Sequence, residues 1–293
     1  MSKRILICTD LDRTLLPNGK QPESPGARVA FTRLVSRPEV ILAYVSGRHR
    51  ELVEDAIRNY ELPLPDWVIG DVGTTIYQVR AGAWLHWTDW EQDVSADWRG
   101  LTASDLRPLF SDLQSLRLQE ESKQNRYKLS YYLALPADIL ALKKEMSGRL
   151  NLARLAASLI YSVDEADSTG LLDVLPALAT KLHAVEFLMQ HQGFDYTNTI
   201  FAGDSGNDLP VLTSALPSVL VANADCDVVE QAKTQALQQG TMASLYLAQG
   251  GFLGMNGNYS AGILEGIAHY HSDTRLWMEK DHKRPHHHFA NYT

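Results

Sequence analysis

The feature that most constrains this chain is a rhythm of short apolar runs that stop abruptly in small polar residues, each followed by a stretch of helical character. Residues 4–9, 40–45, 67–69, 171–175, 199–201 and 219–221 are such runs. Near-continuous apolar composition over so few residues marks a strand covered on both faces. A helix from about Ser24, with Pro25 at its first position and Pro38 closing it, and others over about 49–60 and 180–192, fill the intervals. Strands alternating with helices imply right-handed crossovers and a parallel sheet. The expected fold is therefore α/β, with a Rossmann-like parallel sheet core.

The rhythm breaks after Tyr77. Trp84, Trp87, Trp90 and Trp98 fall where short strands and an irregular connection replace it. From near residue 90 the order becomes an alternating strand over 127–134, a helix after Pro136 to about Leu150, and a strand near 155–163. That order describes a small α+β unit, and the βα rhythm resumes at Leu171, so the unit is inserted into the first. The expected division is a discontinuous core of residues 1–88 and 172–275, an inserted cap of 89–171, and a tail of 276–293. The tail carries His282 and His286-His287-His288, read as a solvated, frayed terminus rather than a metal site.

Charge narrows the partners. With 27 Lys and Arg against 35 Asp and Glu the net charge is −8, which disfavours nucleic acid and anionic membrane surfaces. A small anion stays open, because a few cations and a metal in a cleft can outweigh the global field. Cys8 and Cys226 offer no disulfide framework. The first apolar stretch is too short for an export signal, and no run approaches the roughly 20 apolar residues that span a bilayer. A soluble, cytoplasmic protein is expected.

The chemistry concentrates at the ends of the apolar runs. Asp10-Leu11-Asp12-Arg13-Thr14 stands at the carboxyl end of the first, and in an open parallel sheet that edge is where ligands bind. Two carboxylates two residues apart repel unless a cation or proton lies between them, so the pair asks for one. In Val45-Ser46-Gly47-Arg48, Ser46 follows the second strand and can hydrogen-bond an oxyanion. Lys181 opens a predicted helix, within reach of a phosphate at the sheet edge. Gly203-Asp204-Ser205-Gly206-Asn207-Asp208 follows the strand ending at Phe201 and adds two carboxylates and an amide. Taken singly, each is an ordinary turn, a solvated lysine or a helix cap. Together, at four successive sheet-edge loops, they are not what bland turns produce.

In order and spacing these four segments resemble the four motifs of the haloacid dehalogenase superfamily, and the insertion between the second and third resembles the cap of its sugar-phosphatase branch. More narrowly, Lys123-Gln124-Asn125-Arg126-Tyr127-Lys128-Leu129-Ser130-Tyr131, Asp173-Val174-Leu175-Pro176 with Lys181, and residues 261–269 resemble the sucrose-6-phosphate phosphatases. The similarity runs over nearly the whole chain to about residue 271.

The resemblance implies Mg2+-dependent hydrolysis of sucrose 6-phosphate to sucrose and phosphate, the final step of sucrose synthesis, through an aspartyl-phosphate intermediate. Asp10 would be the nucleophile and Asp12 the acid and base, with Ser46 and Lys181 holding phosphate oxygens. Mg2+ would take the Asp10 carboxylate, the Asp12 main-chain carbonyl and Asp204, with Asp208 completing or orienting that shell and Asn207 beside it at the substrate. Lys123, Gln124, Asn125 and Lys128 are expected to contact the sugar. The implied partners are a small sugar phosphate and a sucrose-phosphate synthase.

Three departures bear on which sugar is read. Residues 162–170 are longer and more acidic than the pattern, Leu182 follows Lys181 where glycine is usual, and Thr74-Thr75 stands where an acidic second residue is expected. Mannosylfructose phosphate or a broad range of hexose phosphates are therefore alternative substrates. A silent phosphosugar-binding partner of a biosynthetic enzyme is the reading from another class, and the retention of Asp10, Asp12 and Asp204 weighs against it.

Overall fold

A computed structural model describes residues 4–164 and 169–279. The chain opens with β1 (Ile5–Thr9), α1 (Ala27–Val35), β2 (Val40–Val45), α2 (Arg50–Asn59) and β3 (Trp67–Gly70), then a hairpin of β4 (Thr75–Arg80) and β5 (Ala83–His86). Next come α3 (Thr88–Ser95), α4 (Ala103–Leu106), β6 (Leu116–Leu118), β7 (Leu129–Ala134), α5 (Ile139–Leu152), β8 (Ala157–Asp164) and β9 (Thr169–Pro176). The chain continues through α6 (Lys181–His191), β10 (Thr199–Gly203), α7 (Leu209–Leu212), β11 (Ser218–Leu220), α8 (Cys226–Gln239), β12 (Leu245–Leu247), α9 (Ser260–Tyr270) and α10 (Arg275–Met278).

Eight strands make the large sheet, in the order β12-β11-β10-β1-β2-β3-β4-β5. Every pair from β12 to β3 is parallel, and the β4–β5 hairpin continues the sheet antiparallel. Alternate side chains of β1 enter opposite cores. Leu6 and Cys8 belong to the core that includes Ala184 and Leu188 of α6, while Ile5 and Ile7 belong to the one that includes Phe31 of α1 and Ile263 of α9. Covering on both faces is why the run is apolar throughout. Because β1 lies between β2 and β10, its carboxyl end is the point where the strand order reverses, and a crevice opens there.

The second sheet is antiparallel, in the order β6-β7-β9-β8. Here the structure corrects the sequence reading. The run 171–175, expected as the first strand of the resumed core rhythm, belongs to β9 and lies between β7 and β8. An apolar run reports burial but not the neighbour that provides it. β8 is adjacent in sequence and pairs with β9 along its length, from Asp164↔Thr169 to Ala157↔Pro176, so closing that hairpin costs little loop entropy.

The first helix is also displaced. It begins at Ala27 after Gly26, whose φ of 82° is left-handed, and Pro25 lies outside it. The Ser24 hydroxyl accepts the Asn256 N–H instead of capping the helix. Among the described residues no helix is long and apolar enough to cross a membrane. His282, His286-His287-His288 and residues 165–168 of the acidic segment lie outside the described residues.

Candidate active site

The carboxyl end of β1 delivers Asp10 into the crevice, where it is buried. Its Oδ1 accepts the Leu11 N–H at 2.8 Å and lies 3.2 Å from Lys181 Nζ. Lys181 opens α6, whose N-cap Thr180 accepts the His183 N–H, so the cap fixes where the lysine enters. Its ammonium also donates to Asp208 Oδ1 at 2.7 Å and Asn207 Oδ1 at 3.2 Å. Burial works against that charge, but Asp10 and Asp208 hold the Lys181 pKa above its ordinary value.

The loop after β10 brings the remaining carboxylates. Asp204 Oδ1 accepts the Thr14 hydroxyl at 2.9 Å. Asp208 Oδ2 accepts the N–H groups of Asp204 and Ser205, both at 3.1 Å, so this carboxylate braces the loop with one oxygen and Lys181 with the other. Gly203 permits the approach, since a β-carbon there would lie 2.6 Å from the Asp208 side chain. Asp10, Asp204 and Asp208 each bring an oxygen within 4.8 Å of the others.

Such a cluster is short of positive charge. Burial, opposed by Lys181 and reinforced by Asp208 and Asp204, pushes the Asp10 carboxyl up to about 8. Burial and Asp208 push Asp204 up to about 7. Asp204 Oδ2 is buried with no hydrogen-bond partner, 3.4 Å from Arg13 Nε. An orphaned buried carboxylate oxygen beside two more carboxylates suits a divalent cation. With both Asp208 oxygens engaged, Asp10 and Asp204 hold the atoms free to bind it.

Asp12 points elsewhere. Arg48 donates from Nη2 and Nε to its two oxygens at 2.6 and 2.7 Å, and Asn18 Nδ2 adds a third bond at 2.7 Å. Burial would raise its carboxyl, but Arg48 and Asn18 hold it below the usual carboxylate range. Ser46 is buried at the end of β2, and its hydroxyl accepts the Arg48 N–H at 3.2 Å. A cleft of about 580 Å³ separates this edge from the small sheet; Arg48, Ser205 and Asn207 line one side, and Gln119, Lys123, Lys128, Tyr161 and Asp173 the other.

Residues 3–271 match the sucrose-6F-phosphate phosphohydrolase family. The chain belongs to that family. A haloacid dehalogenase-like hydrolase of Nitrosococcus oceani is 55% identical over 95% of this chain and 75% of its own length. A mannosylfructose-phosphate phosphatase of Agrobacterium fabrum is 26% identical over 90% of this chain and 96% of its own. The chain spans about half, 52%, of the length of one of the Arabidopsis thaliana sucrose-phosphatases that it matches, at 29% identity. In fold it is similar to the sucrose-phosphatase of Synechocystis, solved with sucrose and phosphate, at a TM-score of 0.69 and 23% identity over 92% of this chain and 98% of that one.

Within this phosphohydrolase, the four sugar-contact candidates separate. Lys128 and Lys123 line the cleft, Lys123 also donating to the Tyr132 hydroxyl at 2.7 Å. Asn125 instead bridges to the Thr74 hydroxyl at 2.8 Å. Gln124 turns inward and does not line the cleft: its amide donates to the carbonyls of Gln119 and Ser130 and accepts the Ser130 N–H, so it holds the loop to β7. From sequence, an amide on a polar loop gives no sign of which way it faces.

Sequence reasoning assigned no role to Arg48, Thr14, Asp71, Gln119 or Asp173. Arg48 and Thr14 sit inside recognised segments and were findable there. Asp71 was not, because the expected acid at the β3–β4 turn was sought at Thr75. The Thr75 hydroxyl lies 3.3 Å from Asp71 Oδ2, so a carboxylate reaches the turn from four residues earlier. Asp173 accepts the Ser130 hydroxyl at 2.5 Å and faces the cleft from β9, a placement that depends on the corrected strand order.

Proposed function

We propose that this phosphohydrolase is a Mg2+-dependent sugar phosphatase whose substrate is sucrose 6-phosphate, hydrolysed to sucrose and phosphate. The observation that carries the reading is the buried Asp10, flanked by Lys181 and Asp204, next to the Ser205–Asn207 loop that lines a cleft of about 580 Å³ closed on its other side by polar side chains of the small sheet. A volume of that order suits a ligand the size of a disaccharide phosphate. The core and its inserted cap are the division of labour: phosphate at the sheet edge, sugar under the cap.

In this mechanism Asp10 attacks phosphorus in line with the leaving sugar oxygen, forming an aspartyl phosphate and splitting one hard displacement into two. Lys181 and Ser46 hold the equatorial oxygens as charge spreads over them. Asp12 gives a proton to the departing oxygen and takes one from the water that attacks the aspartyl phosphate. Arg48 holds Asp12 ionised in the present arrangement, so proton donation requires that pair to part when substrate enters. Mg2+, held by Asp10 and Asp204 with the Asp12 carbonyl, would neutralise phosphate charge. Asn207, at the cleft margin, would meet the substrate. The proposal includes no synthase partner.

Mannosylfructose phosphate is the second reading, favoured by the near end-to-end match to the Agrobacterium enzyme, whereas only half of the plant sucrose-phosphatase is matched. Phosphate release from a panel of sugar phosphates, with Mg2+ and with chelator, decides. Preference for sucrose 6-phosphate that vanishes with chelator is expected. Preference for mannosylfructose phosphate moves the assignment to the second reading, and no release from any sugar phosphate leaves a binding module.

A further inference from the structure

Residues 71–74, between β3 and β4, contact the loop after β2, the start of α6 and the segment that precedes β7. Asp71 and Val72 take left-handed backbone angles, φ 51° and 61°, which residues other than glycine adopt at a cost. The turn is held from the core by Asp71 N–H to the Arg48 carbonyl at 3.0 Å and Val72 N–H to the Ser46 carbonyl at 3.3 Å. Gly73 lies against the start of α6, where a β-carbon would come 2.7 Å from the carbonyl carbon of Thr180. From the other side, Trp90 Nε1 donates to the Gly73 carbonyl at 3.0 Å and Asn125 Nδ2 to the Thr74 hydroxyl at 2.8 Å. The carboxylate of the buried Asp71 faces the Lys128 ammonium at 3.6 Å, and Lys128 opens onto the cleft.

A buried ion pair contributes little net stability, because desolvation offsets the attraction, so its placement asks for another reason. We propose that Asp71 is a positioning residue for sugar recognition. Its carboxylate holds one side of the Lys128 ammonium and aims the remaining donors at hydroxyl oxygens of the substrate. Because the same turn rests on the Ser46 loop and on the first turn of α6, seating the sugar under Lys128 is tied to the groups that hold phosphate. The inference rests on the sugar-phosphate reading and deepens it by naming a core residue that shapes specificity.

The test measures kcat and KM for wild type, Asp71→Asn, Lys128→Met and the double variant on the preferred sugar phosphate and on 4-nitrophenyl phosphate. Each single change is expected to raise the sugar-phosphate KM about tenfold, the loss typical of one charge-assisted hydrogen bond, with a much smaller change for the ester. The double variant should be no worse than Lys128→Met alone. Equal losses on both substrates, or losses that multiply in the double variant, overturn the inference. If Asp71→Asn does not fold, the double variant removes both charges together and keeps the comparison with Lys128→Met: equal kcat/KM supports the pair, further loss overturns it. A wild type with no preference for any sugar phosphate overturns the sugar reading itself, and this inference with it.

Discussion

Lys181 Nζ stands 3.2 Å from Asp10 Oδ1 and 2.7 Å from Asp208 Oδ1, so one buried ammonium serves carboxylates from two loops far apart in sequence. Asp10, the proposed nucleophile, is thus held by a cation that has a second anion to keep. Replacing Asp10 with Asn removes the attacking charge but leaves Lys181 paired with Asp208. Asp10→Asn is therefore expected to lose at least about a thousandfold in kcat, the scale of removing a nucleophile, while its thermal midpoint stays at or above that of the metal-free wild type. Phosphate release and calorimetry check the two halves.

Asp12 is assigned two proton transfers, and a substrate whose leaving group needs no proton separates them. With 4-nitrophenyl phosphate, Asp12→Ala should give a burst of nitrophenolate stoichiometric with enzyme, followed by slow turnover, because only aspartyl-phosphate hydrolysis still needs the base. A sugar phosphate should show no burst and lose about a hundredfold or more, the range of general acid catalysis. Rapid-mixing kinetics on both substrates reads this directly, and a sugar-phosphate burst equal to the ester's would remove Asp12 from the acid role.

Metal-free protein should become less stable as pH rises. Asp10 and Asp204 are pushed up to about 8 and about 7, above the ordinary carboxylate value they regain on unfolding. Between these limits the folded state binds more protons than the unfolded state, so the unfolding free energy falls with pH. Thermal midpoints in chelator should drop from about pH 5 to about pH 8, and added Mg2+ should raise them more at the upper end, where the carboxylates are ready to bind it. Midpoints that rise with pH in chelator would contradict the charge balance described for this cluster.

Gln124 gives a prediction of a different kind. Truncating it to Ala removes the partner of the Ser130 N–H and of the Gln119 carbonyl, while the Ser130 carbonyl keeps the Gln119 N–H at 3.0 Å; leaving such groups unpaired costs on the order of 1–3 kcal/mol when they are buried. Gln124→Ala should lower the thermal midpoint and reduce hydrolysis of sugar phosphate and small ester alike. A selective loss on the sugar would instead return Gln124 to the substrate.

What could be read without coordinates was what chemistry and periodicity carry locally. Apolar runs ending in Asp10, Ser46 and Gly203 announced strands whose carboxyl ends share one edge, since a strand buried on both faces must be apolar until it emerges. The order of those runs placed Asp10 and the Asp204–Asp208 loop at one edge, while Lys181 joined them through the family resemblance, since the run before it belongs to the small sheet. Side-chain direction on polar loops was not legible: Gln124 and Lys128 are four residues apart on the same kind of segment, yet one braces the backbone and the other faces the cleft.

The sequence by itself determined the α/β class and the acidic residues at strand ends, because both follow from residue type along and just after an apolar run; the pair it offered to a cation was Asp10 and Asp12, whereas the carboxylates the fold gathers are those of Asp10, Asp204 and Asp208. Tertiary structure alone decided that residues 171–175 pair with β7 and β8, that Arg48 clasps Asp12, and that Asp71 rather than a residue at position 75 supplies the carboxylate facing Lys128. The physical reason is the same in each case: hydrophobic pattern and charge specify that a group must be buried or paired, while the identity of the partner depends on which other groups the folded chain brings within a few ångströms.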